Sequence, residues 1–336
     1  MQTRKNSSFL HAQPVSGAHI VDALKIRCTR PFAALALAFP LFAAAEPLPV
    51  VASFSVLGDW VREVGGSRVA VHVLVGAGED THMFQPAPAA VRRVTAAQLV
   101  VMNGLGFEGW MPRLAQAAGY KGELLVAMEG IAPVRKGSAS DPHAWLSVGN
   151  AIHAVRRIAD GLCAADAEGC ADYRARAAAY TTRLQALDAE IRAAWAAVPE
   201  NERQALAPHD NFAYYARDYG VRVWGVQGAD GESEPSAREV AALVRRVRED
   251  GIRALLVEPM ESSHLVEQLA RETGQHINGV LYAEALSPED GPAASYEAMM
   301  RHNTRTLVDA VRGVAAPVSL PQHDRHDKHD THHHHH

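Results

Sequence analysis

The feature that most limits how this chain can fold is an alternation of short apolar runs with amphipathic ones. It occurs in two blocks, separated by two long helical stretches. In the first block, residues 50–54 (Val-Val-Ala-Ser-Phe) predict a buried strand, and residues 55–65 predict a helix stopped by Gly65-Gly66. A second strand follows at 69–75, a helix at 87–98 and a strand at 99–102. Asn103-Gly104-Leu105-Gly106 then turns into a helix containing Trp110 and Leu114, and residues 123–127 form a last strand. The second block predicts strands at 221–226, 254–257 and 277–281. Ser236 and Glu239 form a capping box that opens a helix lined by Val240, Leu243, Val244 and Val247. Further helices are expected at 263–273 and 295–314. Strand–helix alternation of this kind implies mainly parallel sheets covered by helices, an α/β fold.

Between the blocks the period changes. Residues 147–162 read as one helix and 170–198 as a longer one, in which Tyr180, Leu184, Leu187, Ile191 and Trp195 mark a single apolar face. A helix of that length spans about 40 Å, enough to act as a stiff backbone between two lobes. The expected layout is a leader at 1–45, an N-terminal α/β lobe at 46–146 and a helical linker at 147–199. A C-terminal α/β lobe at 200–316 and a tail at 317–336 complete it. A chain of 336 residues exceeds the usual single-domain size, which agrees with two lobes. The net charge of −5 offers no basic surface for nucleic acid.

The two ends carry their own signals. Lys25, Arg27 and Arg30 flank the short apolar run 32–42, and Ala43-Ala44-Ala45 supplies the small residues of a cleavage site. The run is too short to span a bilayer stably, so export with cleavage near Ala45 is expected, into the periplasm. Cys28 has no lipobox before it, which argues against lipid attachment. In an oxidising compartment Cys163 and Cys170, on either side of a short turn, are expected to form a disulfide rather than remain two unpaired thiols. The tail interleaves His with Asp before a terminal His run; such a segment cannot build a core, and it reads as a loose metal collector or a tag.

Four stations could carry chemistry. His143 lies in Asp141-Pro142-His143-Ala144-Trp145, where Pro142 fixes its own φ and holds Asp141 extended. His82 follows a glycine-flanked loop, His209 sits in Pro208-His209-Asp210-Asn211, and Glu284 lies just past a predicted strand. Three imidazoles and one carboxylate make a tetrahedral set suited to zinc. Three of the four also have a bland reading: a loop histidine bonded to backbone for His82, a helix cap for His209, a solvated glutamate for Glu284. Asp141 and Asp210 read as solvated caps, with acceptance from an imidazole N–H as the alternative. His72, His153, His264, His276 and His302 read as structural or surface residues.

With those residues in place, the chain resembles the cluster A-I zinc/manganese solute-binding proteins of ABC transporters. The resemblance rests on Asp80-Thr81-His82 with Pro86, on residues 103–110, and on Asp141-Pro142-His143-Ala144-Trp145-Leu146. It also rests on His209-Asp210-Asn211-Phe212 with Tyr219-Gly220, on Glu232-Ser233-Glu234-Pro235-Ser236, and on Met299-Met300-Arg301-His302-Asn303. It implies two α/β lobes joined by a rigid helix, with one metal buried in the cleft on His82, His143, His209 and Glu284. A histidine at the third station points to Zn2+, whereas relatives selecting Mn2+ often have glutamate there. Two departures stand out: Glu284 where the family usually has aspartate, and no histidine in the loop 129–140. The implied function is a periplasmic receptor, monomeric, that delivers Zn2+ to an inner-membrane ABC permease, with a periplasmic metallochaperone as a further candidate partner. The competing readings are a secreted zinc hydrolase using Glu284 as general base, a manganese receptor, and a surface adhesin.

Overall fold

The computed structural model describes residues 46–227 and 235–318. The leader with Cys28, the segment Glu232-Ser233-Glu234 and the His-rich tail from 319 onward lie outside the described residues. The first block folds as β1 (Leu48–Phe54), α1 (Ser55–Gly65), β2 (Val69–Val75), α2 (Pro88–Ala96), β3 (Leu99–Met102), α3 (Met111–Ala117) and β4 (Leu124–Val126). A small antiparallel hairpin, β5 (Arg135–Lys136) and β6 (Ala139–Ser140), comes next. Two long helices follow, α4 (Val148–Ala165) and α5 (Cys170–Ala196). The second block folds as β7 (Gln204–Ala207), α6 (Ala213–Tyr219), β8 (Arg222–Gly225), α7 (Ala237–Glu249), β9 (Ala254–Val257), α8 (His264–Thr273), β10 (Gly279–Val280) and α9 (Tyr296–Arg312).

Each block builds one parallel sheet, in the order β2-β1-β3-β4 for the first and β10-β9-β7-β8 for the second. Val50, Val51, Ala52 and Phe54 of β1 are fully buried, as expected for an inner strand covered on both faces. The two-sheet α/β architecture is the one the alternation implied. β7 is the exception: it is central to its sheet, yet its sequence Gln-Ala-Leu-Ala contains no β-branched or aromatic residue to announce it. The hairpin β5–β6 was likewise expected only as loop. The strand expected at 277–281 keeps ladder pairing only at Gly279 and Val280.

One continuous apolar core runs through both blocks, joining Val50 and Trp60 to Trp195, Leu256, Leu281 and Leu307. A smaller cluster under α7 and α8 includes Val244, Val247, Leu255 and Leu269. The predicted face of α5 (Tyr180, Leu184, Leu187, Ile191 and Trp195) is buried, and α5 packs against α1 and α9 as well as α4. Among the described residues no helix is long and apolar enough to cross a membrane.

Cys163 and Cys170 form the expected disulfide, tying the end of α4 to the start of α5. Closing a loop this short removes about 2–3 kcal/mol of unfolded-state entropy. Reduction with dithiothreitol is therefore expected to lower Tm by about 5–10 °C. An unchanged Tm on reduction would show that the bond constrains nothing in solution.

At the α1–α5–α9 junction Arg183 of α5 bridges Glu63 of α1 at 2.9 Å and Glu297 of α9 at 2.7 Å. Beneath it, Asp59 accepts the backbone N–H of Tyr296 at 2.8 Å. Burial pushes the Asp59 carboxyl up to about 6, the Tyr296 N–H pulls it down, and Glu63 raises it further. Its folded-state affinity for a proton thus exceeds the unfolded one, so its stabilising contribution is full at low pH and is lost as pH rises through about 6. Asp59→Asn is expected to match the parent near pH 4 and to exceed it by about 2–3 kcal/mol at pH 8 in urea unfolding. Equal stabilities at both pH values would rule out a buried charge here.

Candidate metal centre

Both sheets present the carboxyl ends of parallel strands to one region, where open α/β folds gather their ligands. His82 follows β2. Its loop is shaped by Asp80, whose side chain accepts the N–H of His82 at 2.8 Å and of Met83 at 3.3 Å. Trp110 fixes the same loop by donating its indole N–H to the Thr81 carbonyl at 2.9 Å. The His82 ring lies edge-on to Phe107, with centroids 4.9 Å apart. Gly104 makes the neighbouring turn possible: its φ is +87°, and a Cβ there would meet Val126 at 2.4 Å.

His143 is held more tightly. Asp141 is fully buried at its side chain, and its Oδ1 takes both the backbone N–H of His143 at 2.9 Å and Nδ1 at 2.7 Å. The solvated-cap reading of Asp141 is therefore wrong; the Asp-Pro-His spacing lets the carboxylate fold back onto the imidazole two residues on. With Nδ1 carrying the proton toward Asp141, Nε2 is left as the outward donor. Trp145 packs beside the ring at 5.4 Å and donates its indole N–H to Ala283 O at 2.8 Å, linking this loop to the Glu284 segment.

Glu284 comes from the other sheet, just past β10. Asn303 fixes the approach by accepting from Tyr282 N at 2.9 Å and donating to Tyr282 O at 2.8 Å. Glu284 Oε1 lies 2.8 Å from His143 Nε2, and Oε2 lies 3.5 Å from His82 Nε2. One donor atom from each of the three residues falls within 4.8 Å of the others. His143 Nε2 and Glu284 Oε2 are buried and make no aligned hydrogen bond. Two imidazole nitrogens and a carboxylate that face one another in this way form the donor set of a borderline divalent cation.

The electrostatics follow from that convergence. Burial opposes charge on His143, but Glu284 and Asp141 outweigh it and push the imidazole up to about 10. Burial also opposes charge on Glu284, yet His143 and His82 hold its carboxyl well below the usual range. Glu284 likewise raises His82 through their contact, against the opposing effect of burial.

His209 follows β7, and the structure does not bring it into this trio. Its Nε2 pairs instead with Glu261 Oε2 at 3.4 Å. The loop is packed against Gly225, where a Cβ would meet Asp210 N at 2.4 Å. Glu261 has Glu284, Asp80 and His82 among its charged neighbours, so the pair borders the trio.

Sequence reasoning missed Glu258, which is buried with Oε1 unpartnered. Burial, reinforced by Glu284, pushes it up to about 8. Asn211 Nδ2 donates to Glu258 Oε2 at 3.0 Å and to Glu284 Oε1 at 3.2 Å. Its position directly after the buried strand β9 was the available signal, the same one that singled out Glu284. Of the histidines read as structural, His302 lies 2.8 Å from Val280 O and His153 2.7 Å from Glu129 O.

Comparison with known proteins agrees with this geometry. Residues 50–310 match the family described as ZnuA, zinc-uptake complex component A, periplasmic. The manganese-binding lipoprotein MntA of Bacillus subtilis is 32% identical over 277 residues, covering 80% of this chain and 90% of that protein. The protein of the same name from Halalkalibacterium halodurans is 31% identical over 268 residues, covering 79% and 89%. Among solved structures, the periplasmic zinc binding protein TroA from Treponema pallidum superposes with a TM-score of 0.74 at 26% identity, covering 79% of this chain and 99% of that one. A Mn-bound periplasmic metal binding protein from Candidatus Liberibacter asiaticus gives 0.72 at 26% identity, covering 78% and 98%.

Proposed function

Since this chain belongs to the ZnuA family of metal-uptake receptors, we propose that it is the exported, periplasmic component that captures Zn2+ and passes it to an ABC permease. Members of the family are substrate-binding proteins of ABC transporters and not enzymes, which sets aside the hydrolase reading. The observation that carries the proposal is the convergence of His82, His143 and Glu284 donor atoms within 4.8 Å.

In this reading the lobes are 46–146 and 200–316, with 147–199 as the spine and the cation held at the seam. His82 Nε2 and His143 Nε2 supply nitrogen from the first lobe, and Glu284 supplies oxygen from the second. His209, bordering the trio beside Glu261, is the fourth donor. Imidazole-rich sets favour zinc over manganese, and zinc also stands above manganese in the general affinity order. Relatives are named for manganese and for iron, so the zinc reading rests on the donors of this chain. Four protein donors leave no open position for an activated water, which suits carriage. Release follows from a local disturbance of the donor shell on docking, because the shared core resists wide opening of the lobes.

Metal analysis of protein truncated before residue 319, followed by Zn2+/Mn2+ competition, tests the cargo. One zinc per chain, not displaced by excess manganese, is the expected result. Retention of manganese against zinc would overturn the zinc assignment.

A further inference from the structure

The hairpin β5–β6 lies directly before the His143 loop, and its role goes beyond connection. Asp141 N bonds Val134 O at 2.8 Å to close it. Buried Tyr214, on α6 of the other lobe, receives the Val134 N–H at 3.2 Å and donates its hydroxyl to Asp141 O at 2.6 Å. Arg217 of α6 adds a bond to Ala132 O at 3.2 Å. The hairpin is thus fastened to the second lobe while leading into a ligand of the first.

Lys136, the last residue of β5, stands between the two ligand loops. Nζ lies 3.0 Å from Asp141 Oδ2 and 3.3 Å from Asp210 Oδ2, and it also donates to the Asp210 carbonyl oxygen. Asp141 divides its oxygens: Oδ1 holds the His143 ring and Oδ2 faces the ammonium. Asp210 is the residue after His209. One side chain therefore touches the carboxylate that orients one proposed donor and the backbone that carries another.

We propose that Lys136 is a positioning residue, a strut between lobes that fixes the His143 imidazole and the His209 loop relative to each other and so slows metal loss. The inference rests on the reading of His143 and His209 as donors to one cation. An ammonium suits the task because it offers three donors to acceptors on separate chain segments. Without it, Asp141 keeps its bond to His143 but loses the ion pair on Oδ2, and the Asp210 segment loses its contact with the hairpin.

The test uses zinc-loaded protein truncated before residue 319 and the rate of zinc transfer to excess chelator. Lys136→Met is expected to speed release about tenfold, the low end for supporting residues of metal ligands. Lys136→Arg is expected to restore most of the slow rate, which a loss of packing alone would not allow. Asp210→Asn is expected to speed release in the parent and to add nothing in the K136M background. Release from K136M at the parental rate, while H143A has lost tight binding, overturns the strut and leaves the site reading intact. Parental behaviour of both K136M and H143A overturns the site reading and the strut together.

Discussion

Replacing His143 by alanine is expected to weaken zinc binding about a hundred- to a thousand-fold. A structural zinc site yields about 10–16 kcal/mol, so each of four donors carries about 2.5–4 kcal/mol. His143 should reach the upper part of that range. Its side chain is only 12% exposed, Asp141 fixes its tautomer, and its Nε2 lies 2.8 Å from Glu284. His82, with a side chain 46% exposed, should cost less when removed. The same H143A change strips Glu284 of its buried partner, so the metal-free variant should also lose about 3–5 kcal/mol of stability. Chelator competition below the variant's Tm, with circular dichroism confirming the fold, separates the two effects. Parental zinc affinity in a folded H143A protein would remove His143 from the site.

Removing metal is expected to lower Tm by about 8–16 °C. A ligand bound only by the folded state at a thousand times its Kd stabilises by about 4 kcal/mol. In a domain of this size each kcal/mol moves Tm by about 2–4 °C. Melting of protein truncated before residue 319, in excess EDTA and then in excess Zn2+, reads the difference directly. H143A, binding a hundred- to a thousand-fold more weakly, should keep at most about a third of it. A parental Tm indifferent to zinc would mean that the donors do not act as a site for it.

The fold was legible in the sequence because its signals are local. The apolar runs of β1 and β9, the glycine stop after α1 and the Ser236–Glu239 capping box each announce themselves over a few residues. β7 was illegible because only its neighbours β9 and β8 make Gln-Ala-Leu-Ala a strand. The candidate site was partly legible for a different reason. A histidine after a proline, or a glutamate after a strand, marks itself, and three of the four proposed donors do meet. The supporting groups are set by contacts between distant segments. Nothing near Lys136 in sequence signals Asp210, and nothing near Asn211 signals that its amide joins Glu258 to Glu284.

The order in which the chain supplies its donors has one more consequence. The trio draws on a loop after the second strand and on a segment reached only after the last strand of the second sheet. A polypeptide still emerging from a ribosome therefore holds two imidazoles but not the carboxylate that completes them. A cation held by this trio can load only once nearly the whole chain has folded.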